Sequence, residues 1–254
     1  MTETAPSTKP QDAFKVPGMD HQTEPSVSPE PPLPWAPALL RCFLRYPALK
    51  TLGICAFMWV FFIAYFHLLR NPAHPVTIVP LTALDRLIPF QPQMLGAYLS
   101  LWFYIGVAPG MLPTLRELIH YTLWIAGLCL TGLACFYVWP TAVPPLAQDV
   151  SGYAGFTMLK GVDSAGNACP SLHVATAMFT AIWVDYLLRH VRAPILPRLA
   201  NGAWFSAITY STLATKQHVV FDALTGTLLG IGFALLSLRH LPRLASVPPC
   251  SGGL

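Results

Sequence analysis

The stretch Thr51-Leu-Gly-Ile-Cys-Ala-Phe-Met-Trp-Val-Phe-Phe-Ile-Ala-Tyr-Phe-His-Leu-Leu69 contains no Asp, Glu, Lys or Arg. Two longer segments, Leu87–Leu115 and Leu118–Gln148, share this absence of charge. A helix that crosses the hydrocarbon core of a bilayer needs roughly 20 mostly apolar residues. Each of the three segments is therefore long enough and apolar enough to contain a membrane-spanning helix.

The composition of the whole chain indicates the same class of protein. Of its 254 residues, 54% are hydrophobic and 10% are charged, whereas about 25% are charged in an ordinary soluble domain. The net charge of +4 is not gathered into a basic patch with interleaved aromatic residues, so no nucleic-acid partner is expected. The predicted fold class is all-α, as a polytopic protein integral to the membrane.

Proline, glycine and charged residues divide the chain into six predicted spans. The spans cover roughly 49–69, 92–112, 117–138, 170–189, 197–215 and 218–238, and an irregular connection is expected at 140–170. Residues 1–35 are rich in Pro, Ser, Thr and Glu, which predicts a disordered cytoplasmic tail. Residues 36–240 are predicted to form the six-helix membrane domain, and residues 241–254 a short flexible tail.

Lys and Arg residues near the ends of the spans predict the orientation of the chain. With both termini on one side, that side carries nine of them and the opposite side carries four. The nine are Arg41, Arg45, Lys50, Arg116, Arg189, Arg192, Arg198, Arg239 and Arg243, and the four are Arg70, Arg86, Lys160 and Lys216. Because positive residues concentrate in cytoplasmic loops, both termini are predicted to be cytoplasmic. The starts of the fourth and sixth spans then lie at the outer (periplasmic or luminal) surface.

Two polar stretches occupy those starts. The first is Asn167-Ala-Cys-Pro-Ser-Leu-His173, and the second is Ser211-Thr-Leu-Ala-Thr-Lys-Gln-His-Val-Val-Phe-Asp222. Ionisable groups next to hydrocarbon are costly and usually functional, so the histidine of each stretch is a candidate for chemistry. His67 and His120 lack such a motif and are expected to serve helix packing.

The residue types of the two stretches suit the transfer of a phosphoryl group. At a spacing of four on a helix, His218 and Asp222 lie on one face, and a carboxylate that accepts the Nδ1–H leaves Nε2 as a nucleophile or ligand. Lys216 and the first backbone N–H groups of the helix add positive charge for an anion. Ser171 either caps its helix or donates to the anion, and its backbone neighbours can do likewise. His173, as imidazolium, can protonate a leaving oxygen.

Pro170-Ser-Leu-His173, followed by Ser211 and by His218-Val-Val-Phe-Asp222, resembles the type 2 phosphatidic acid phosphatase superfamily. The residues of these motifs are closest to the inositol phosphorylceramide synthase-like (inositolphosphotransferase) branch. The proline motif of that branch is similar to Phe136-Tyr-Val-Trp-Pro140 with Pro144-Pro145. The resemblance covers roughly residues 50–238 and implies a six-transmembrane-helix bundle.

The resemblance also implies roles for individual residues. His218 would attack phosphorus, Asp222 would orient it, and His173 would assist the leaving group. The family's motif of Lys, six residues and Arg-Pro has no match, and its Ser-Arg pair reads Ser211-Thr212. Lys216 is the predicted replacement for the missing phosphate-binding arginine, and Lys160 is a second candidate.

Three functional classes remain open on the sequence. The first, which we predict, is a membrane lipid phosphatase or phosphotransferase that needs no metal or other cofactor. It would act on a lipid phosphate or a phospholipid headgroup, with water or an alcohol as acceptor. The second is a metal-dependent membrane enzyme that uses the same two histidines and carboxylate as ligands, although Lys216 would repel the ion. The third is a non-catalytic or transport-type protein, although the chain shows no repeated half with broken helices.

Overall fold

The apolar segments fold as helices in the computed structural model of the protein, which describes residues 2, 34–145 and 166–241. Two short strands, Thr77–Ile78 and Thr141–Ala142, pair in parallel. Numbered within these residues, the elements in chain order are α1 (Trp35–Leu44), α2 (Pro47–Arg70), β1 (Thr77–Ile78), α3 (Ala83–Leu87), a 3-10 turn (Pro92–Met94), α4 (Leu95–Leu99), α5 (Leu101–Met111), α6 (Leu115–Val138), β2 (Thr141–Ala142), α7 (Leu172–His190), α8 (Ile195–Ala214) and α9 (Val220–Arg239). The described part of the chain is thus mostly helical.

The predicted spans agree with the helices to within about two residues at each end. In the described part of the chain, four helical segments are long and apolar enough to cross a membrane, namely Pro47–Arg70, Pro92–Met111, Leu115–Val138 and Val220–Arg239. The protein is therefore a mostly helical membrane protein. Most of the predicted tails at 1–35 and 241–254, and most of the irregular connection at 140–170, lie outside the described residues.

The helix over Pro92–Met111 is interrupted at Ser100, where α4 ends and α5 begins. The hydroxyl of Ser100 donates to the carbonyl of Ala97 at 2.6 Å and accepts the indole N–H of Trp204 at 2.9 Å. A serine that bonds its own backbone offers the chain an alternative to regular helix. The break leaves α4 as a separate short helix that places Tyr98 beside the start of α7.

Helix α7 occupies the centre of the protein and packs against α5, α6, α8 and α9. Phe179 and Trp183 on α7 are completely buried. Near its C-terminal end, Asp185 accepts hydrogen bonds from Nε of Arg189 and from Nε of Arg198, both at 2.7 Å. Asp185 thus pairs with Arg189 four residues further along α7, and Arg198 of α8 shares the carboxylate.

Helix α2 lies at the periphery, and only Lys50 and Leu69, near its two ends, are buried. Nζ of Lys50 donates to the carbonyl oxygens of Cys42, Gly110 and Leu112 at 2.6, 2.8 and 2.9 Å. An ammonium group has three hydrogens, so these three bonds use all of them. Lys50 therefore ties the ends of α1 and α5 to the start of α2.

Polar residues of α6 also have structural partners. Thr114 and Glu117 form a capping box, in which the Glu117 N–H donates to Oγ1 of Thr114 at 3.3 Å and the Thr114 N–H donates to Oε2 of Glu117 at 3.1 Å. Such a box satisfies backbone donors at a helix start. Nε2 of His120 donates to the carbonyl of Ser237 at 2.9 Å and joins α6 to α9. The packing role predicted for His120 is confirmed.

Two glycines four residues apart bring α9 against α7. A Cβ at Gly226 would lie 2.3 Å from the carbonyl oxygen of Ser171, and a Cβ at Gly230 would lie 2.5 Å from that of Ala175. No side chain fits at these distances. Small residues at this spacing allow membrane helices to approach closely, so the start of α7 lies directly against the first turns of α9.

Strand β2 fixes the segment that leads into α7. The all-α prediction did not include the two strands. Thr141 in β2 donates its N–H to the carbonyl of Gly166 at 3.1 Å and accepts the N–H of Ala168 on its own carbonyl at 3.0 Å. Its hydroxyl oxygen accepts the N–H of Cys169 at 2.7 Å. Residues 166–169 are therefore held along β2 immediately before the first polar stretch enters the helix.

Candidate active site

His218 and Asp222 form a buried pair at the start of α9. Nδ1 of His218 lies 2.9 Å from Oδ2 of Asp222, and the two residues are 7% and 0% exposed. Because a carboxylate oxygen accepts, His218 donates from Nδ1, and the lone pair of the ring is on Nε2. The predicted contact is confirmed, but the predicted placement is not. His218 lies in the turn before α9 rather than on the helix.

Both carboxylate oxygens and the backbone carbonyl of Asp222 accept hydrogen bonds, and these bonds fix the orientation of His218. Its Oδ1 accepts the N–H of Val219 at 2.7 Å, while its Oδ2 accepts the Nδ1–H of His218. Its backbone carbonyl accepts the N–H of Ser171 at 3.0 Å. The bond from Ser171 joins the two polar stretches directly, since Ser171 belongs to the first stretch and Asp222 to the second.

His173 lies in the first turn of α7 opposite His218, with 5.9 Å between the two ring centroids. Its ring stacks on Tyr98 at 4.4 Å between centroids and contacts the edge of Trp102 at 5.5 Å. Nε2 of His173 is buried and has no hydrogen-bond partner among the described residues. A buried ring nitrogen without a partner is costly, so this atom is a candidate contact for a bound group.

Ser171 is the N-cap of α7. Its hydroxyl oxygen accepts the N–H of Val174 at 3.2 Å, and the residue is completely buried. The capping role that the sequence allowed is confirmed. A contact between Ser171 and phosphate stays a prediction.

The turn that carries His218 is built by the end of α8. Lys216 follows the helix in the left-handed region, with φ of 58°. The Lys216 N–H donates to the carbonyl of Leu213 at 3.2 Å, and the Gln217 N–H donates to that of Thr212 at 3.1 Å. These two bonds form a Schellman motif, which usually has glycine in the left-handed position. The His218 N–H also donates to Thr212 at 3.1 Å, so the backbone of the histidine is fixed.

The side chain of Lys216 is directed to the short helix α3. Its Nζ donates to the carbonyl oxygens of Asp85, at 3.0 Å, and Ile88. Burial lowers the pKa of the Lys216 ammonium group, and the Asp85 carboxylate partly opposes this shift. Two of three ammonium hydrogens are thus used within the protein, and a phosphate contact stays a prediction. The second candidate, Lys160, lies outside the described residues.

Asp85 is a buried residue of the site region that the sequence analysis missed. Its Oδ1 accepts the N–H of Val220, the first residue of α9, at 2.8 Å. Its Oδ2 accepts the N–H and the hydroxyl of Thr82, both at 2.7 Å. The spacing of Thr82 and Asp85 is a capping-box signal, but it predicts only the start of α3 and not the contact with α9.

The starts of α7 and α9 were expected to offer backbone N–H groups to an anion. In the structure the N–H of Val219 donates to Asp222, that of Val220 donates to Asp85, and that of Val174 donates to Ser171. The expectation is therefore wrong for these three N–H groups, because carboxylates and a hydroxyl of the chain itself already occupy them.

An apolar cavity of about 460 Å³ lies beside the two histidines. Aromatic side chains of α2 and of the α4–α5 segment form much of its wall, together with Leu172 and Thr176 of α7. His173, His218 and Asn167 also line it. The cavity therefore combines a large apolar wall with a small group of polar atoms, as ligand sites commonly do.

Within residues 34–145 and 166–241, no group of three or more His, Cys, Asp and Glu side chains is arranged to hold a metal ion. Comparison of the chain with protein-family models, curated proteins and solved structures finds no match in any of the three. The fold and the site thus define the class by themselves: a mostly helical membrane protein with two facing histidines, one of them held by a buried carboxylate.

Proposed function

We propose that the protein is a multi-pass membrane lipid phosphatase or phosphotransferase that acts through a phosphohistidine at His218. One observation carries this proposal. The rings of His173 and His218 face each other at 5.9 Å on the wall of an apolar cavity, and Asp222 holds one of them in a single tautomer.

The proposed reaction has two displacements at phosphorus. In the first, Nε2 of His218 forms a bond to phosphorus while the bond from phosphorus to the leaving oxygen breaks, and His173 as imidazolium gives its proton to that oxygen. Asp222 stabilises the positive charge that develops on His218. In the second, water or an alcohol attacks phosphorus and gives its proton to His173, and the N–P bond breaks to restore His218.

The cavity supports a lipid substrate rather than a soluble phosphate ester. Its wall runs along α2 from Phe57 to beyond Tyr65, a length of about 12 Å or more at the helical rise of 1.5 Å per residue. An apolar wall of this kind accommodates hydrocarbon and leaves few polar groups unpaired when hydrocarbon fills it. A hydrocarbon chain in the cavity would leave a phosphoryl group beside the histidines.

The proposed topology has six spans, with α7 and α8 added to the four apolar segments. Both are of spanning length, at 19 and 20 residues. The polar side chains of α7 are compatible with a membrane because other helices surround α7. With the termini in the cytoplasm, the starts of α7 and α9 lie at the outer surface. A reporter fused to the C-terminus should stay cytoplasmic, and a translocated reporter would overturn this topology.

The test is an assay of the purified protein on a panel of lipid phosphates and phospholipids, with and without alcohols. Vanadate, which mimics the transition state of phosphoryl transfer, should inhibit. The His218→Ala variant should lose activity by on the order of 10³-fold or more, whereas His74→Ala, at an exposed histidine, should retain it. Normal turnover by His218→Ala would sink the mechanism. Inhibition by chelators but not by vanadate would favour a metal enzyme instead.

A further inference from the structure

Asn167 lies in the segment that β2 holds just before α7, and it is 6% exposed. It lines the same cavity as His173 and His218. Its side chain can both donate and accept hydrogen bonds, because the amide nitrogen only donates and the amide oxygen only accepts. The orientation of this amide therefore decides which kind of group it recognises.

The orientation is fixed by α2. Nδ2 of Asn167 lies 3.0 Å from the backbone carbonyl oxygen of Tyr65. A carbonyl oxygen only accepts, so the atom next to it must be the NH₂ group, and a flipped amide would set two acceptors against each other. The remaining atom, Oδ1, is an acceptor.

Oδ1 of Asn167 is buried and has no hydrogen-bond partner in the described part of the chain. Buried polar atoms in native proteins are nearly always bonded, and an exception calls for an unseen partner. In the same cavity wall, Nε2 of His173 is also buried without a partner among the described residues. Two unpartnered polar atoms beside one apolar cavity indicate a ligand that has polar groups next to its hydrocarbon.

We propose that Asn167 is a specificity-determining residue whose Oδ1 accepts a hydrogen bond from a neutral hydroxyl or amide N–H of a lipid in this cavity. The inference rests on the proposed function for the position of the phosphoryl group at the histidines. The donor is neutral because the cavity wall is predominantly apolar and an amide oxygen alone does not compensate a buried charge. It belongs either to the phosphorylated lipid or to the alcohol that accepts the phosphoryl group.

A pair of lipid phosphates tests the proposal, one with a free hydroxyl next to the phosphate and one with that hydroxyl methylated. Wild-type protein should prefer the hydroxylated lipid by about tenfold or more in kcat/KM, because the methylated lipid leaves Oδ1 unpaired. In Asn167→Leu, which has a similar size and no acceptor, the preference should fall to about twofold or less. The ratio between substrates isolates recognition from a general loss of folded protein.

A second pair distinguishes the two sources of the donor. Long-chain acceptor alcohols that carry or lack an additional hydroxyl or amide N–H are compared in the transfer reaction. A preference confined to the acceptors assigns the donor to the acceptor alcohol, and a preference in hydrolysis assigns it to the phosphorylated lipid.

The proposal also has a readout that needs no turnover. A long-chain alcohol should raise the unfolding temperature of wild-type protein more than its methyl ether does, and Asn167→Leu should lose this difference. Turnover without any preference for a donor, in hydrolysis or among acceptors, together with equal stabilisation by alcohol and ether, would overturn the role of Asn167 alone. Absence of turnover on every lipid, with the stabilisation difference intact, would overturn the proposed function and leave the binding site standing.

Discussion

Buried polar groups occur near both ends of α2, and they differ in how completely their hydrogen bonds are made. Lys50 near the first end donates to three carbonyl oxygens and has no hydrogen left. Near the second end, about 22 Å away along the helix from Lys50 to Tyr65, Nε2 of His173 and Oδ1 of Asn167 are buried without partners among the described residues. A satisfied buried charge joins helices, whereas unsatisfied polar atoms beside a cavity indicate a ligand.

The largest expected effect is at Asp222, at the end of the molecule where His173 and Asn167 have unpartnered atoms. In Asp222→Asn the amide oxygen can still accept the N–H of Val219, so the start of α9 should be preserved. The amide NH₂ then meets Nδ1 of His218 and favours the tautomer with the hydrogen on Nε2. Turnover should fall by on the order of 10³-fold to 10⁴-fold with little change in unfolding temperature. Asp185→Asn, at the carboxylate near the other end of α7, should keep normal turnover, and equal turnover in both variants would contradict the role of Asp222.

At the other end of α2, Lys50→Met should show the opposite pattern, with a loss of stability and no loss of activity. Three buried carbonyl oxygens lose their donor, so stability should fall by about 3 kcal/mol or more, measured by denaturant unfolding in detergent. Activity per folded molecule should be unchanged. Arg41→Met, at an exposed residue of α1, is the matched control and should cost little. If Lys50→Met proves as stable as the control, the three bonds do not hold these helices together.

The next effect concerns the contact between α7 and α9. Gly226→Ala places a methyl group 2.3 Å from the carbonyl oxygen of Ser171, so the two helices must separate and His173 must move relative to His218. We expect a loss of about 1–3 kcal/mol in stability and about tenfold or more in turnover. Gly232→Ala, on the same helix with open space around it, should be neutral or stabilise by up to about 1 kcal/mol. Similar behaviour of the two variants would rule out close packing at Gly226.

The smallest expected effect distinguishes two roles for Lys216. If its ammonium group mainly ties α3 to the turn, Lys216→Met should lower stability by about 1–2 kcal/mol and turnover by less than about tenfold. A loss of turnover on the order of 10²-fold or more without loss of stability would instead indicate the predicted contact with phosphate. Arg86→Met, at an exposed residue of α3, serves as the control for a loss of positive charge nearby.

The positions of the long apolar helices could be predicted because membrane length and absence of charge are local properties of the chain. The contact between His218 and Asp222 could be predicted for the same reason, since four residues separate them. The close contact at Gly226 and Gly230 also has a local signal, because small residues four apart are typical of closely packed membrane helices.

Other features depend on partners that are distant in sequence. Lys50 bonds Gly110 and Leu112, and Lys216 bonds the carbonyl of Asp85, which no local pattern indicates. The capping box of α3 gave no sign that Asp85 also reaches α9. The strands β1 and β2 have two residues each, too few for any periodicity to be visible.

The central claim is that a phosphohistidine forms at His218, and trapping it is the most direct test. Purified protein is mixed with a lipid phosphate labelled in its phosphoryl group, quenched in alkali, in which phosphohistidine is stable, and digested for mass spectrometry. The account predicts an acid-labile label on the peptide that contains His218, absent from His218→Ala and suppressed by vanadate. Turnover with no labelled histidine, or with the label on His173, would contradict it.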